Sequence, residues 1–405
     1  MKFTFVSPLL LLALCALSFP SPSRAEPMHT RVSLGRSSNE YLFTWEDFNT
    51  NISTSYVRIN SKYFKGFSYL FSDDHQIDQV IRVHRAYATD LLPNTKYVYQ
   101  VGSKESGFSR RYRFKTPPNT YPLRVSIYAD LGLLNHRVLE TLAETPADLV
   151  IHAGDFAYNL NYKNGEYANR FFELLSEDDN TSLMSEHIFQ TCPGNHELHN
   201  NFSYYRERLA TDFMHPMYYS FNIAGIHFVS INSEYYFGGT KWEIEKQREW
   251  VENDLRNVNR TITPWIIMFG HRQMYASGRE ARVKESEILE SGLGYLLGKY
   301  KVDMYICGHQ HNYERTAPIL YKTFETILDP FIYKKPHFPI HIINGAAGGP
   351  EGIEKFDFGI MPYSLVRKPI YSFGSFTIHN ETHLHWEQID DESNVIDEFW
   401  IEKAV

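Results

Sequence analysis

Short apolar runs that end in glycine-flanked polar residues most constrain how this chain can fold. After Tyr121 these runs alternate with amphipathic segments of helical period. Six runs read as buried strands, at 125–129, 149–153, 188–192, 226–231, 265–269 and 304–307. Helical segments are predicted at 136–144, 166–175, 243–258 and 286–299. This order predicts an α/β domain with central mixed β-sheets covered by helices.

The chain before this region has a different pattern. Residues 31–116 contain short alternating runs separated by polar turns, which is typical of an all-β sandwich. The stretch 90–97 resembles the turn entering a late strand of a fibronectin type III domain. Residues 116–120 contain consecutive prolines and form the natural linker.

We therefore expect four segments along the chain. They are a signal peptide at 1–25, a fibronectin type III-like sandwich at 26–118, an α/β domain at 119–336 and the C-terminal part of that domain at 337–405. The last segment is predicted to return to strands that pack on the α/β domain.

The N-terminus has the features of a secretory signal peptide. Lys2 supplies a positive charge, residues 9–17 are apolar, and the small residues Ser23 and Ala25 suit a cleavage site. The apolar stretch is well short of the roughly 20 residues that a membrane-spanning helix needs. We expect a secreted protein, extracellular or lysosomal, without a membrane anchor.

Residue composition bears on the partners and on the covalent modifications. The chain has 40 Lys and Arg against 48 Asp and Glu, a net charge of −8, which disfavours nucleic acid as a partner. The sequence gives no indication of oligomeric state. Asn-x-Ser/Thr sites, expected to be exposed and glycosylated, begin at Asn51, Asn180, Asn201, Asn259 and Asn380.

Only two cysteines remain after the signal peptide. Cys192 and Cys307 each end an apolar run, so we expect buried thiols, with a disulfide between them as the alternative.

Five of the loops that follow the strands carry side chains able to bind metals. They supply Asp130, then Asp155 and Tyr158, then Asn195 and His196, then His271, and finally His309 and His311. Loops at the carboxyl ends of strands converge in α/β sheets, so these side chains are expected to lie together. Asp, Asn, His and Tyr without a thiolate suit iron, manganese or zinc. A single such loop is usually a turn, but five in order predict a metal centre.

These loops resemble those of the metallophosphoesterase superfamily, and Tyr158 narrows the resemblance to the purple acid phosphatases. The chain looks most like the animal long-form type, which has a fibronectin type III-like N-terminal domain. The resemblance continues through Gly308-His309-Gln310-His311-Asn312-Tyr313-Glu314-Arg315 and the closing strands. It covers nearly the whole mature chain.

The resemblance implies a dinuclear centre and an enzymatic activity. Fe(III) would be held by Asp130, Asp155, Tyr158 and His311. A divalent iron, zinc or manganese would be held by Asp155, Asn195, His271 and His309, with Asp155 shared. The implied activity is that of an acid phosphatase, a phosphoric monoester hydrolase acting on small phosphate monoesters. His196 is the candidate catalytic residue, which would bind the phosphate and protonate the leaving alkoxide.

Part of the sequence departs from this family pattern. Plant members place phosphate-contacting histidines in the stretch corresponding to 272–282, whereas this chain has no histidine between His271 and His309. Arg279 or Glu280 could occupy that region. The alternative functions are a metal-dependent phosphodiesterase or nucleotidase on the same scaffold, and a catalytically inactive secreted binding protein. Buried carboxylates without a metal are costly, which weighs against the binding protein.

Overall fold

The computed structural model describes residues 26–35, 39–48, 50–73, 80–178, 180–211, 216–357 and 359–404. The expected signal peptide at 1–25 lies outside the described residues. Within these ranges, no helix is both long enough and apolar enough to cross a membrane.

The N-terminal strands form two antiparallel sheets. The first contains, in spatial order, β1 (Met28–Leu34), β2 (Glu40–Asp47), β6 (Ile81–Thr89) and β5 (Phe67–Phe71). The second contains β4 (Lys62–Lys65), β3 (Tyr56–Ile59), β7 (Lys96–Ser103) and β8 (Gly107–Phe108), with β9 (Tyr112–Lys115) also paired to β7. Aromatic residues fill the space between the sheets, and the rings of Phe43 and Tyr99 lie 4.8 Å apart. The expected all-β sandwich is confirmed.

The α/β domain contains two mixed seven-stranded sheets. The first has the order β14 (Phe189–Cys192), β12 (Leu149–Ala153), β10 (Leu123–Tyr128), β25 (Ser372–Ile378), β26 (His383–Asp390), β27 (Val395–Glu402) and β22 (Ile332–Lys334). The second has the order β15 (Tyr219–Ile223), β16 (Ile226–Ser230), β17 (Trp265–Phe269), β18 (Met304–Cys307), β23 (Ile340–Asn344), β19 (Tyr313–Thr316) and β24 (Ser364–Lys368). Strands β10, β12 and β14 are mutually parallel, as are β16, β17, β18 and β23.

Two small sheets lie beside the large ones. A parallel pair is formed by β11 (Leu131–Gly132) and β13 (Phe156–Ala157), and an antiparallel pair by β20 (Ile319–Leu320) and β21 (Thr323–Phe324). The first pair directly follows Asp130 and Asp155, so it fixes the two carboxylate loops against each other.

The described helices connect these strands. They are α1 (Val138–Glu144), α2 (Glu166–Ser176), α3 (Leu183–Glu186), α4 (His199–Tyr204), α5 (Tyr235–Gly238), α6 (Lys241–Arg256) and α7 (Glu280–Lys299). Helix α7 begins earlier than the predicted start at Ser286. Residues 280–285 are exposed or half-buried, so this part of the helix has no apolar period, although its residues are mostly good helix formers. Arg282 and Glu285 therefore lie within the helix.

Successive side chains along the strands point to opposite faces of each sheet, so the domain has a core between the sheets and a core beneath the helices on each outer face. Val125 of β10 and Ile267 of β17 point into the apolar layer between the two large sheets. On the outer faces, Val150 of β12 packs with α1 and α2, whereas Ile266 of β17 packs with α6 and α7. The domain is therefore a helix, sheet, sheet, helix stack, and the expected covering of mixed sheets by helices is confirmed. The returning strands β25, β26 and β27 are part of the first sheet.

A buried charged cluster joins the sandwich to the α/β domain. Glu46 accepts from Arg208, with an Oε2–Nη2 distance of 2.5 Å, and lies 2.6 Å from Nδ1 of His29. Burial lowers the pKa of His29, but hydrogen bonds to Glu173 and Glu46 outweigh it and raise the pKa to about 9. Sandwich and α/β domain are thus held together by paired charges as well as by apolar contact.

Cys192 and Cys307 end β14 and β18, as predicted. Both are buried free thiols, so the alternative of a disulfide between them is wrong. Burial raises the pKa of each thiol, which keeps both protonated and unreactive.

The five sequon asparagines are all solvent-exposed, at Asn51, Asn180, Asn201, Asn259 and Asn380. Their side chains are accessible for modification, and glycosylation itself stays a prediction.

Candidate metal centre

Five loops meet at one edge of the α/β domain. Three leave the carboxyl ends of the parallel strands β10, β12 and β14 in the first sheet. Two leave the carboxyl ends of β17 and β18 in the second sheet. The loops bring together all the predicted ligands, namely Asp130, Asp155, Tyr158, Asn195, His271, His309 and His311.

The backbone of these loops is strained at the ligands themselves. Residues with left-handed φ angles near +60° include Asp130, Asp155, Tyr158 and His309. This conformation is uncommon for residues other than glycine and costs on the order of 1–3 kcal/mol each. The surrounding fold holds these residues in place against that cost, as is typical of functional sites.

Glycine allows one of the loops to pass close to a ligand. Gly154 has a φ of +88°, and a Cβ atom there would lie 2.6 Å from Nδ1 of His271. Any side chain at position 154 would displace the imidazole, so glycine is required before Asp155.

One group of donors surrounds the position expected for the divalent ion. The donor atoms of Asp155, His271 and His309 lie within 4.8 Å of one another. Oδ2 of Asp155 is 3.2 Å from Nε2 of His271, and Oδ1 of Asn195 is 3.2 Å from the same nitrogen. Nδ1 of His271 donates to the carbonyl of Ala153 at 3.0 Å, which leaves Nε2 to bind a metal.

A second group of donors lies beside the first. Tyr158 Oη is 2.7 Å from Nε2 of His311 and 3.4 Å from Oδ1 of Asp130. Burial, with the charges of Asp130 and Asp155, raises the pKa of Tyr158 far above its usual value. A bound cation would reverse this effect, because it stabilises the phenolate.

The charges of the site fit two cations. Asp130 and Asp155 are fully buried, and buried carboxylates need a positive partner. Burial lowers the pKa of His271, but the charges of Asp155 and Asp130 outweigh it and raise the pKa to about 10. Burial is likewise outweighed at His311, where the hydrogen bond and charge of Asp130 raise the pKa to about 9. Metal ions would replace these imidazolium charges.

His196 lies at the mouth of this centre. Its backbone N–H donates to Oδ1 of Asp155 at 2.9 Å, and its ring packs on Tyr158 with 4.5 Å between centroids. Its Nδ1 lies 3.1 Å from Oδ1 of Asn159, and a quarter of its side chain is exposed. The imidazole therefore reaches both the ligands and solvent. Its catalytic role stays a prediction.

Glu197 is a supporting residue that sequence reasoning missed. Its buried carboxylate accepts from the backbone N–H groups of Asp155, Phe156 and Gly194, at 2.8–2.9 Å. It thereby ties the loop of Asn195 to the loop of Asp155. Its position in the polar run after β14 was the sequence feature that could have identified it.

The stretch after His271 is arranged differently from either sequence-based suggestion. Glu280 is mostly exposed and pairs with Lys284 at 2.8 Å, whereas Arg279 pairs with Glu354 at 3.0 Å. The side chains that reach the centre from this stretch are Arg272 and Arg282, both in contact with Nε2 of His309. Arg272 directly follows a ligand, which was the signal available for it.

Three family models match the chain in succession. "Purple acid Phosphatase, N-terminal domain" matches residues 27–116, and "Calcineurin-like phosphoesterase" matches 124–313. "Iron/zinc purple acid phosphatase-like protein C" matches 338–398. Every residue of the site named above lies within the middle match, except Glu354.

Curated relatives match over most of their length. The mouse protein named acid phosphatase type 7 is 35% identical, across 83% of this chain and 80% of the relative. The human protein of that name is 34% identical across 82% and 79%, and purple acid phosphatase 21 of Arabidopsis thaliana is 29% identical across 92% and 84%. These names support the expected enzyme class, a phosphoric monoester hydrolase.

A solved structure shows the same fold. A purple acid phosphatase from yellow lupin seeds superposes with a TM-score of 0.76 at 22% identity, covering 94% of this chain and 75% of the lupin chain. The expected fold and family are thus confirmed. From the relatives above 30% identity and the three successive family matches, the chain belongs to the purple acid phosphatase family.

Proposed function

We propose that this protein is a secreted acid phosphatase that hydrolyses small phosphate monoesters at a centre of one ferric and one divalent ion. The observation that carries the proposal is the pair of adjacent donor groups around Asp155. Tyr158, His311 and Asp130 form one group, and the donor atoms of Asp155, His271 and His309 form the other. Two cations held by these groups would polarise a phosphoryl group and lower the pKa of water.

Donor chemistry supports different metals in the two groups. Tyr158 supplies a phenolate, a hard anionic donor that stabilises a trivalent ion, beside the carboxylate of Asp130. The other group offers the imidazoles of His271 and His309 and the amide of Asn195, which suit divalent iron, zinc or manganese. Asp155 would serve both, because its Oδ2 is 3.2 Å from Nε2 of His271, and this nitrogen is also 4.0 Å from Oδ1 of Asp130 in the group with the phenolate.

His196 is proposed as the group that binds the phosphate and donates a proton to the leaving alkoxide. Its Nδ1 lies 3.1 Å from Oδ1 of Asn159 and its Nε2 lies 3.9 Å from Oδ2 of Asp155, so Nε2 is the nitrogen directed toward the centre and the ester. Its partial exposure allows substrate to reach it.

Secretion is supported by features outside the centre. The first 25 residues have signal-peptide character, and all five sequon asparagines are exposed. The net charge of −8 favours a small substrate over a nucleic acid partner.

The test uses the full chain purified from a secreting eukaryotic host. Elemental analysis should find iron and a second metal, each near one per chain. Hydrolysis of p-nitrophenyl phosphate should greatly exceed that of bis(p-nitrophenyl) phosphate at acidic pH. Preferential diester hydrolysis would favour the phosphodiesterase alternative, and a metal-free or inactive protein would overturn the proposal.

A further inference from the structure

Two guanidinium groups converge on one ligand of the metal centre. Nη1 of Arg272 lies 2.8 Å from Nε2 of His309, and Nη1 of Arg282 contacts the same nitrogen. Arg272 follows His271 at the end of β17, whereas Arg282 lies in the first turn of α7. Two separate elements therefore direct positive charge to the same point, and we call these residues the guanidinium pair.

Carboxylates hold the guanidinium pair from behind. Nε of Arg272 is 2.8 Å from Oε2 of Glu234, and its guanidinium lies 4.3 Å from the ring centroid of Phe237. Nε of Arg282 is 3.5 Å from Oε1 of Glu354. Both arginine side chains are largely buried, so their rotamers are fixed while one edge of each guanidinium faces the centre.

Glu285 contacts both arginines as well as the same ring nitrogen, since its Oε2 lies 3.1 Å from Nη1 of Arg282 and its Oε1 lies 3.5 Å from Nη1 of Arg272. Arg282 and Glu285 are spaced i, i+3 on α7 and so share a face, and Oε2 of Glu285 lies 3.3 Å from Nε2 of His309. Because Nε2 is surrounded by these groups, Nδ1 is the nitrogen of His309 available to a metal. A histidine that binds a metal through Nδ1 carries its proton on Nε2.

The proton on Nε2 of His309 changes the hydrogen bonds of the two arginines. With a proton on Nε2, His309 donates to Glu285 and can no longer accept from either guanidinium. Each Nη1 carries two N–H groups, so one can stay on Glu285 while the other, which pointed at Nε2 of His309, lies beside the centre without that acceptor. Guanidinium donors of this kind match the non-ester oxygens of a phosphate group.

We propose that Arg272 and Arg282 bind the non-ester oxygens of the substrate phosphate and favour monoesters over diesters. The inference rests on the proposed phosphatase function and deepens it by assigning phosphate recognition to this pair. A monoester has three non-ester oxygens and a diester has two, so with two oxygens on the metals only a monoester keeps a further non-ester oxygen for the two arginines. The stretch 272–282 contains no histidine, so arginine supplies the positive charge there.

The test measures binding of inorganic phosphate to the metal-loaded full chain by calorimetry. Arg272→Gln and Arg282→Gln should each weaken binding at least about tenfold, since a hydrogen bond to a charged group contributes roughly 1.5–3 kcal/mol. Arg272→Lys and Arg282→Lys should recover part of the affinity. In hydrolysis of p-nitrophenyl phosphate, KM should rise more than kcat falls, and the monoester preference should shrink.

Arg279→Gln is the matched control. Arg279 pairs with Glu354 as Arg282 does, but its side chain is half exposed and its pairing is directed to Glu354 rather than to His309. This variant should bind phosphate within about twofold of the wild type. Metal content and melting temperature are measured for every variant.

The outcomes separate the possible roles. Loss of the divalent metal, with unchanged phosphate affinity per loaded centre, would mean that the pair only braces His309 and would overturn the proposal. An active wild type whose variants all bind phosphate normally would overturn the pair but leave the phosphatase function standing. Arginine-dependent phosphate binding by a wild type that hydrolyses no monoester would support the pair and reject the phosphatase function.

Discussion

Oη of Tyr158 lies 2.7 Å from Nε2 of His311, and each atom lies 3.4 Å from the same oxygen, Oδ1 of Asp130. Three donors of different chemistry, on loops after three strands, therefore point at one position. Packing for stability alone gives no reason to bring a phenol, an imidazole and a carboxylate together in a buried space, because burying polar groups is costly. This meeting point distinguishes the site from a general divalent-metal pocket.

Asp155→Asn should empty both metal positions. Asp155 is buried and contacts His271 on one side and the backbone of His196 on the other, so the amide fills the same space but removes the shared charge. Activity should fall more than about 100-fold, since even partners behind the ligands contribute 10- to 100-fold. Elemental analysis of the variant checks the prediction.

The control for this variant is Asp254→Asn. Asp254 also pairs with a histidine, His227, at 2.8 Å, but outside the centre. This control should retain both metals. Near-normal occupancy in Asp155→Asn would show that the carboxylate is not shared.

His196→Ala should lower kcat by roughly 10²–10⁴-fold and leave both metals bound, because the side chain meets the substrate rather than the ions. Asn159→Ala should have a smaller effect in the same direction, since it removes only the partner of Nδ1. Steady-state kinetics and metal content are measured together. An unchanged kcat in His196→Ala would assign the proton donor to another residue.

The charged cluster at the domain junction predicts a stability profile with a maximum between about pH 4.5 and 6.5. Burial raises the pKa of Glu46, but the charge of Arg208 and the hydrogen bond of His29 lower it to about 2, so its contribution is full above 4.5 and lost toward pH 2. His29, with a pKa raised to about 9, contributes fully below 6.5 and loses that contribution as the pH rises through 9. Thermal unfolding across this range checks the profile.

Glu46→Gln should destabilise the protein by about 3–5 kcal/mol, because it leaves the buried charge of Arg208 without its carboxylate partner. The variant should also lose much of the pH dependence on both sides of the maximum. A wild-type profile that survives this substitution would place the titrating groups elsewhere.

The cluster of predicted metal ligands could be anticipated from the sequence, because each of its loops follows an apolar run. A buried strand, a glycine and a polar residue form a local pattern, and parallel pairing brings the ends of such strands to one edge. Cys192 and Cys307 were likewise identifiable as strand ends.

Other features depend on contacts that local patterns do not record. Arg282 reaches His309 only because α7 begins at Glu280, and its first turns lack the apolar period that marks a helix. The pairing of His29 and Glu46 with Arg208 links strands of the sandwich to the short π-helix Tyr205–Leu209, more than 160 residues away. Such long-range pairs follow from domain packing, which a reading of the sequence alone does not supply.

Ligation of ferric iron by the phenolate of Tyr158 is tested by the visible spectra of the iron-loaded protein and of the Tyr158→Phe variant. A tyrosinate bound to ferric iron gives a ligand-to-metal charge-transfer band, because an electron-rich phenolate lies beside an oxidising cation. Phenolate ligation predicts a purple or pink wild type, and a Tyr158→Phe variant that lacks the band while retaining iron through Asp130, Asp155 and His311. A colourless wild type that contains stoichiometric iron after oxidation would contradict it.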